Sequence, residues 1–582
     1  MLLRAFQTKF PLKPNNFSLL SSFFSQSRFH SLKSFSIQEL KNEYEKNAIS
    51  KKLPWAKIIA DFEKLKKDIE LDKVRESQKI PRINDIQELH TEIKNSKKPI
   101  RIIGAGHSAA TAIFSGNSEN DTRLKLDGTF RSVKFSKEKD NNGNEFDVVT
   151  VGGGCNLGVD PLDRDFLHIY STVENSLIEQ LSKKSYALPI VGGITHQTIG
   201  GFMLTGSAGG SLKHGFADCI QSFKFMNGKG EIIHAKRGTD IFEAVGVSMG
   251  LMGVITEVTL KLEPNYQVRA QEEVKEKKDS WLNKTKAGDY PLENVLKNTE
   301  YMHLNWIPLK DVDKVMQWEA ARIKCEEDKK GYKQGPYQHP MAKWIDSSEV
   351  ALFFTIIDSI LRQENVPPII LKQEINTIAF LYRKFTDYKL QKCWEDWDKI
   401  LPTEDQIPVD STMQTLFTEI WFPVEHTTKL IDALDEFYQD KFAALGNYAV
   451  ELYGAKSSPF WLSPAYGRDV IRVDLFWWKH NKSDPVKFFQ KFFDRILAEI
   501  PDGRLHWGKY MPIVNHPFGS VHKGNQRIFN LDYLKQQYPK MNEWLKIREE
   551  MDPNQLFVTP YWRNLFNLQA APKPTFSQQF KP

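Results

Sequence analysis

The spacing of hydrophobic residues along this 582-residue chain changes near residue 99. In segment 55–70 they recur every three or four positions, which is typical of an amphipathic helix packed on a larger body: Trp55, Ile58, Ile59, Phe62, Leu65 and Ile69. A second helix is predicted at 86–95. From 99 to 264, short apolar runs instead end in glycine, which predicts buried strands that enter tight turns.

Individual elements follow from this pattern. Strands are predicted at 100–103, at 148–151 and in the alternating run Val254, Thr256, Val258, Leu260, with a short helix at 177–182. The charged residues 266–300 predict a domain boundary or a solvated excursion, and strands and helices alternate from 301 onward. The apolar segment 350–361 is too short to span a bilayer and predicts a core or membrane-surface helix.

Composition is that of an ordinary globular protein of about three to four domains, with 41% hydrophobic and 26% charged residues. The four cysteines are far apart, which argues against a disulfide framework and against a thiolate zinc site. No sequence pattern indicates a metal site.

The net charge of +6 is concentrated at the N-terminus. Residues 1–38 carry five basic residues and no acidic residue, and without them 74 basic residues face 73 acidic ones. A basic, Ser- and Phe-rich segment without acids is typical of a mitochondrial transit peptide, with a disordered tail as the alternative. The nearly neutral remainder gives no support for a nucleic-acid partner.

The loop Gly104-Ala105-Gly106-His107-Ser108 is the strongest candidate for ligand binding. Glycines let backbone N–H groups approach a pyrophosphate closely. Together with Ala109 and Asp127 the loop imitates a nicotinamide-dinucleotide fingerprint. That fingerprint must open a helix, whereas the residues after Ser108 read as a turn-rich loop, so the Rossmann interpretation is disfavoured.

Four separated motifs decide the resemblance: Gly-Ala-Gly-His-Ser at 104–108, Val-Gly-Gly-Gly at 151–154, Val-Gly-Gly with Thr-Ile-Gly-Gly at 191–201, and Gly-Val-Ile-Thr-Glu-Val-Thr-Leu at 253–260. In this order they resemble the PCMH-type FAD-binding domain of the vanillyl-alcohol oxidase superfamily. The resemblance implies an α+β protein, in which a two-subdomain FAD-binding domain precedes an α+β substrate (cap) domain. The implied boundaries are 1–38 transit peptide, 39–81 helical extension, 82–265 FAD domain, 266–565 substrate domain and 566–582 disordered tail.

The same resemblance implies the FAD-binding residues Gly104, Ala105, Gly106, His107, Ser108, Gly192, Gly193, Thr198, Gly200, Gly201, Thr205, Val254 and Ile255. In the oxidase branch, the histidine at the position of His107 forms an 8α bond to the flavin. Plant lactone dehydrogenases carry leucine there and hold FAD non-covalently. The alternative for His107 is a hydrogen bond within the turn.

Motifs at 418–423, 460–469, 506–509 (His-Trp-Gly-Lys) and 551–557 resemble the aldonolactone and alditol oxidase branch. The resemblance places Lys509 beside the flavin, where its amine would form a hydrogen bond with the substrate hydroxyl. Glu419 lies in an apolar strand, where pairing with Lys509 would satisfy both charges and provide a proton acceptor. Glu451 and Arg468 are weaker candidates, and His506 is expected to be a packed, hydrogen-bonded histidine.

Two positions depart from that branch. Trp421 stands where relatives have an arginine, which suggests an aromatic platform for a sugar ring. The run 207–211 lacks the histidine and serine of relatives.

The sequence therefore predicts a mitochondrial FAD-dependent oxidase. It would oxidise a sugar-derived aldono-1,4-lactone by hydride transfer to flavin N5, with O₂ as acceptor and H₂O₂ as product. The alternatives are an alditol oxidase, a lactone dehydrogenase that reduces cytochrome c, and a flavin-binding protein without catalysis. No transmembrane span is expected, while peripheral contact with a membrane is compatible with the sequence.

Overall fold

The computed structural model describes residues 80–114, 120–140, 142–163, 168–308, 312–339, 390–405, 415–439, 447–478, 484–518 and 527–569. The strands in these ranges are β1 Arg82–Ile83, β2 Ile100–Ile102, β3 Thr122–Leu126, β4 Val133–Lys139, β5 Glu145–Gly152, β6 Tyr186–Ala187, β7 Ile220–Asn227, β8 Ile232–Lys236, β9 Gly253–Lys261, β10 Glu263–Pro264, β11 Gln267–Glu276, β12 Tyr301–Ile307, β13 Lys314–Arg322, β14 Lys333–Gln334, β15 Leu390–Asp396, β16 Thr415–Pro423, β17 Asn447–Ala455, β18 Val470–Trp478 and β19 Arg504–Leu505.

The α-helices in the same ranges are α1 Ile86–Asn95, α2 Ala110–Ile113, α3 Leu177–Ser182, α4 Ile199–Leu204, α5 Phe216–Cys219, α6 Asp240–Val245, α7 Pro291–Asn298, α8 Trp397–Ile400, α9 Thr427–Gln439, α10 Pro485–Glu499, α11 Leu531–Gln537, α12 Met541–Met551 and α13 Pro560–Leu565. None of the helices in these ranges combines the length and hydropathy needed to cross a bilayer. The predicted helices at 86–95 and 177–182 are confirmed, and Asp85 and Ser176 cap their N-termini through side-chain oxygens.

The glycine-rich region folds around two sheets. A three-stranded parallel sheet has the order β1-β3-β2, and a five-stranded antiparallel sheet has the order β4-β5-β9-β7-β8. The larger sheet buries β-branched and aromatic residues, including Val149, Val151 and Phe223, which are not exposed at all. Two small α+β units of this kind agree with the predicted fold class.

The second half of the described chain is built on a nine-stranded sheet of order β14-β15-β11-β13-β12-β17-β18-β16-β19. Helices α9 and α10 pack against each other, and Phe488 of α10 packs against Trp477 of β18 with ring centroids 4.7 Å apart. Side chains alternate along a strand, so Val473 and Leu475 share the apolar face of Trp477, while Arg472 and Asp474 point to the opposite face.

The segment 552–557 closes the first sheet. The Leu556 carbonyl accepts the N–H of Ile100 at 2.8 Å, and the Phe557 carbonyl accepts Nη1 of the buried Arg101 at 2.9 Å. Asp552 shapes this turn, because its carboxylate accepts the N–H groups of residues 556 and 557 at 2.8 and 2.9 Å. The C-terminal motif identified in the sequence therefore anchors the strand that leads into the glycine loop.

Four sequence expectations need correction. Residues 266–300 are not a solvated excursion, because β11 lies inside the nine-stranded sheet between β13 and β15 and buries Val268, Ala270 and Glu272. Residues 199–204, which begin within the Thr-Ile-Gly-Gly motif, form helix α4 rather than a tight turn, and one helical turn, α2, follows the loop 104–108. Phe566 and Leu568 pack against the core, although the tail was expected to begin at 566.

Several expectations fall outside the described residues. They are the transit peptide at 1–38, the helix at 55–70, the apolar segment 350–361 and the tail from residue 570 onward.

Candidate cofactor and substrate site

The glycine motifs converge on one small cavity, which Gly104, Gly153, Gly154 and Thr198 help to line. A methyl group at Gly104 would lie 2.5 Å from Oγ1 of Thr198, and one at Gly153 would lie 2.1 Å from the carbonyl oxygen of Ile255. At Gly200 the same group would lie 2.9 Å from the carbonyl of Gly153. These close approaches require glycine, and they bring the four motifs predicted to hold FAD to one place.

The loop 104–108 presents an open side to this region. Gly106 has φ +81°, and a methyl group there would meet no atom within 4 Å. His107 is half-buried, and its ring centroid lies 5.8 Å from that of His196. A glycine backbone that is accessible on one side fits a flat or anionic ligand such as FAD.

The other predicted cofactor residues lie around this loop in different ways. Thr198 caps α4 and accepts the N–H of Gly201 at 3.3 Å, and Thr205 ends the same helix. Gly192 and Gly193 lie in the preceding loop, where Gly193 accepts the N–H of Glu404 at 2.9 Å. The side chains of Val254 and Ile255 are 2% exposed and belong to the core, so only their backbone is placed to meet a ligand.

A charged wall of the cavity was not predicted from the sequence. Asp163 pairs with Arg82 at 2.7 Å, with Lys125 at 2.9 Å and with Arg131. These cations hold the pKa of Asp163 well below its usual range despite burial. Lys125 and Arg131 line the cavity together with Asp163, so two cations fixed by one carboxylate stand beside the glycine turns.

The turn 506–510 joins the two halves of the site. The Gly508 carbonyl accepts the N–H of Ala109 at 2.7 Å, and a methyl group at Gly508 would lie only 3.0 Å from Ser108 Oγ. The same turn runs along β16, where His506 and Tyr510 donate their N–H groups to the carbonyls of Glu419 and Phe417, both at 3.0 Å. Lys509 is thereby held between the glycine loop and the sheet.

The sheet presents a buried polar face to this region. Residues in register across β12, β17, β18 and β16 are Asn305, Glu451, Asp474 and Glu419. Two positions along, the same face carries His303, Tyr453, Arg472 and Trp421. We call these eight residues the polar face.

Glu419 pairs with Arg472, and this corrects the expectation of a direct pair with Lys509. Arg472 Nη2 lies 2.7 Å from Glu419 Oε1, which also accepts Trp421 Nε1 at 2.5 Å. Burial alone would raise the pKa of Glu419, but the charges of Arg472, His506 and Lys509 lower it. A carboxylate fixed and stabilised in this way is a poor proton acceptor.

Trp421 is not the open aromatic platform that the sequence suggested. Its side chain is 1% exposed, and the Arg472 guanidinium lies 4.7 Å from its ring centroid. Arg472 also donates to the Ala208 carbonyl at 2.7 Å, so the run 207–211 is held by this arginine.

Lys509 keeps its amine available. Its Nζ lies 3.7 Å from the Phe417 ring centroid, and no carboxylate of the described ranges lies within 4 Å of it. Burial lowers the pKa of Lys509, although the charge of Glu419 opposes this shift. His506 is buried, accepts the Gly508 N–H at 3.1 Å and has a pKa lowered to about 4 by burial, so it is a packed histidine as expected.

The two weaker candidates are now distinguished. Arg468 pairs with Asp502 at 3.1 Å and lies outside the polar face. Glu451 is one of the eight residues of the polar face, and burial together with the charge of Glu404 raises its pKa to about 8.

Comparison with known proteins agrees with this arrangement. Residues 258–565 match the family described as ALO, D-arabinono-1,4-lactone oxidase. The chain belongs to this family. It is also 20% identical over 493 residues to the L-gulonolactone oxidase of Scyliorhinus torazame. This match covers 83% of the chain and 93% of that protein. The D-arabinono-1,4-lactone oxidase of Candida glabrata is 24% identical over 253 residues, 43% of the chain and 42% of that protein.

Solved structures confirm the fold. A cholesterol oxidase from Brevibacterium sterolicum superposes with a TM-score of 0.58 at 12% identity, covering 83% of this chain and 93% of that one. A solvent-stable cholesterol oxidase superposes with a TM-score of 0.61 at 14% identity, and the match covers 84% of this chain and 94% of that one. This ALO-family protein is an FAD-dependent oxidoreductase, and the converging glycine turns suit that cofactor.

Arg472 is the functional residue that sequence reasoning missed most clearly. The signal was present, because a basic residue in the hydrophobic run 470–478 must find a buried counter-ion.

Replacing Arg472 with Met should lower the free energy of unfolding by about 3–5 kcal/mol, because Glu419 would remain as a buried charge without its partner. Adding Glu419→Gln should recover part of the loss. Denaturation of the flavin-loaded protein followed by circular dichroism measures both effects. Arg468→Met, which breaks a partly exposed ion pair, should lower the free energy of unfolding by about 1 kcal/mol or less. A stable Arg472→Met variant would contradict the assigned pairing.

Proposed function

We propose that this ALO-family protein oxidises an aldono-1,4-lactone and reduces O₂ to H₂O₂. The observation that carries the proposal is the contact between Gly508 and Ala109, because it places Lys509 next to the loop of His107. The relatives named L-gulonolactone oxidase and D-arabinono-1,4-lactone oxidase support the substrate class. A face rich in hydrogen-bonding groups suits a polyhydroxylated ring better than an apolar substrate.

The glycine turns, with the cations of the cavity wall beside them, would hold FAD, which would supply the hydride acceptor when bound. The protein must remove the substrate's hydroxyl proton, and Lys509 is the residue that we assign to this task. Its lowered pKa makes the neutral amine accessible nearer to physiological pH than for an ordinary lysine. No ion pair within the described ranges competes for its nitrogen.

Glu419 then acts through its charge rather than as a base. Bound to Arg472 and Trp421, it stays ionised and favours the positive charge that Lys509 acquires on taking the proton. Asp474 has a pKa raised well above its usual range by burial and by Glu419. We therefore assign Asp474 to the protonated form, which accounts for its closeness to a carboxylate.

We further propose a covalent flavin link through His107 and a mitochondrial location. The half-buried ring of His107 follows the open backbone of Gly106, which favours a reachable nitrogen. The basic composition of residues 1–38 favours import, and the apolar segment 350–361 allows peripheral membrane contact. An alditol as substrate and cytochrome c as acceptor are the alternatives that the experiments must separate.

Anaerobic mixing with L-gulono-1,4-lactone, D-arabinono-1,4-lactone and an alditol tests the substrate class. We expect loss of the oxidised flavin absorbance with a lactone, and its return with H₂O₂ formation when air is admitted. Bleaching by the alditol alone would show that the substrate is an alditol and not a lactone. Return of the flavin absorbance only after cytochrome c is added would show that cytochrome c, and not O₂, is the acceptor. No bleaching with any compound would favour a non-catalytic flavoprotein.

Lys509→Met should slow flavin reduction by the substrate at least about a hundredfold, because the proton acceptor is lost. In the wild type this rate should rise with pH as Lys509 loses its proton, and the variant should lack that rise. Rapid mixing at several pH values, with flavin content measured in parallel, checks both points. Lys329→Met is the matched control, since Lys329 lies 4.2 Å from the Trp394 ring centroid outside this site. Equal rates in Lys509→Met and wild type would remove Lys509 from the chemistry.

His107→Ala should release its FAD into the supernatant after acid precipitation, whereas wild-type protein should retain a fluorescent flavin band on a denaturing gel. Ser108→Ala changes the same loop without removing an imidazole and should retain the band. If wild-type protein sheds all its flavin, the covalent link is wrong.

A further inference from the structure

A pair of stacked aromatic rings lies beside the polar face and has no part in the chemistry proposed above. Phe417 precedes Glu419 by two positions on β16, and Phe476 follows Asp474 by two positions on β18, so alternation directs all four side chains to one side of the sheet. The two phenylalanines are directly opposite in the strand register, and both are half-buried. Their ring centroids lie 4.8 Å apart and the ring planes differ by only 18°.

The amine of Lys509 lies against this pair. Its Nζ is 3.7 Å from the centroid of the Phe417 ring, the shortest lysine-to-ring distance in the described part of the chain, and the next is 4.2 Å between Lys329 and Trp394. The backbone fixes the same neighbours, because the N–H of Tyr510 donates to the Phe417 carbonyl at 3.0 Å. The contact therefore joins two segments whose main chains are already held together.

The ring face distinguishes the two protonation states of the amine. An aromatic face carries partial negative charge, so it attracts an ammonium group more strongly than a neutral amine, and the attraction grows where water is excluded. Burial lowers the pKa of Lys509 and so disfavours its ammonium form. Contact with the Phe417 ring opposes this effect of burial.

Charged and titratable groups from three strands and from the turn itself also face Lys509: Glu419, Glu451, Arg472, Asp474 and His506. Arg472 disfavours the ammonium, and Glu419 favours it although its carboxylate is already paired with Arg472 at 2.7 Å. Burial lowers the pKa of His506 to about 4, so this ring is neutral near neutral pH. The Phe417 ring supplies a direct contact that no carboxylate in the described ranges supplies.

We propose that Phe417 is a positioning residue for the proton transfer, because its ring holds the amine of Lys509 in place and stabilises the ammonium that forms when the substrate's hydroxyl proton arrives. Phe476 acts through the first ring by fixing its orientation. The role of Phe417 rests on the proposed function of Lys509 as proton acceptor. It follows that the charge distribution of the ring at position 417, and not only its size, sets the pH range in which the enzyme reduces its flavin.

Fluorinated phenylalanine at position 417 tests this role, because each fluorine weakens the negative potential of the ring face with little change in shape. In the full-length, flavin-loaded protein the rate of flavin reduction by a lactone should still rise with pH. With three fluorines the midpoint of that rise should fall by about one pH unit. Phe417→Leu should shift the midpoint in the same direction, and Phe417→Tyr should keep the wild-type midpoint. An unchanged midpoint with both the fluorinated ring and Phe417→Leu would overturn the positioning role.

Phe135→Leu is the matched control. Phe135 is also half-buried, its ring stacks on Tyr186 with centroids 5.9 Å apart, and Lys184 Nζ lies 4.9 Å from its centroid, but it belongs to β4 outside this site. This variant should keep the wild-type pH profile. A shift as large as that of Phe417→Leu would assign both effects to a general loss of packing and would overturn the role of Phe417.

A double-mutant cycle tests the contact without any substrate. At mildly acidic pH, where Lys509 is protonated, three fluorines at position 417 should lower the urea midpoint of unfolding in the wild type and should lower it less in Lys509→Met. Equal effects in the two backgrounds would overturn the contact. Failure of every lactone to reduce the wild-type flavin would instead refute the proposed function, and the positioning role with it, while the cycle would still decide whether ring and ammonium interact.

Discussion

The arrangement of this site depends on the buried guanidinium of Arg472. It pairs with Glu419, lies 3.6 Å from Asp474 and donates to the Tyr453 hydroxyl and to the Ala208 carbonyl. An arginine keeps its proton under all ordinary conditions, so the neighbouring groups must adjust their protonation to it. The pKa of Glu419 is accordingly lowered and that of Asp474 raised, while burial lowers the pKa of Lys509, the second cation near this face.

Local features of the fold could be predicted from the sequence because their signals lie within a few residues. The capped helices Ile86–Asn95 and Leu177–Ser182 and the alternating strand Gly253–Lys261 are of this kind. Strand β11 was missed because its buried positions alternate with Arg269, Gln271 and Glu273, whose charge and polarity dominate the composition. Glycine turns were predictable as ligand-binding backbone, whereas the helix within one of them was not.

The residues of the candidate site also differ in whether a local sequence signal identifies them. Contiguous motifs located Lys509, Glu419 and the loop of His107. The hydrophobic run around Arg472 shows that this residue needs a buried counter-ion, but its partner and the role of Asp474 follow from the register of β18 against β16 and β17.

The closure of the first sheet by segment 552–557 has a consequence for how the protein folds. Arg101 and Phe557 are separated by 456 residues, yet their contact holds the strand that carries the cofactor loop. This contact cannot form until the segment around residue 557 packs against the first sheet, so the strand that leads into the loop lacks its support until then. Contacts of such long range slow folding. The strand that leads into the cofactor loop is therefore held by a segment that is very distant in the sequence.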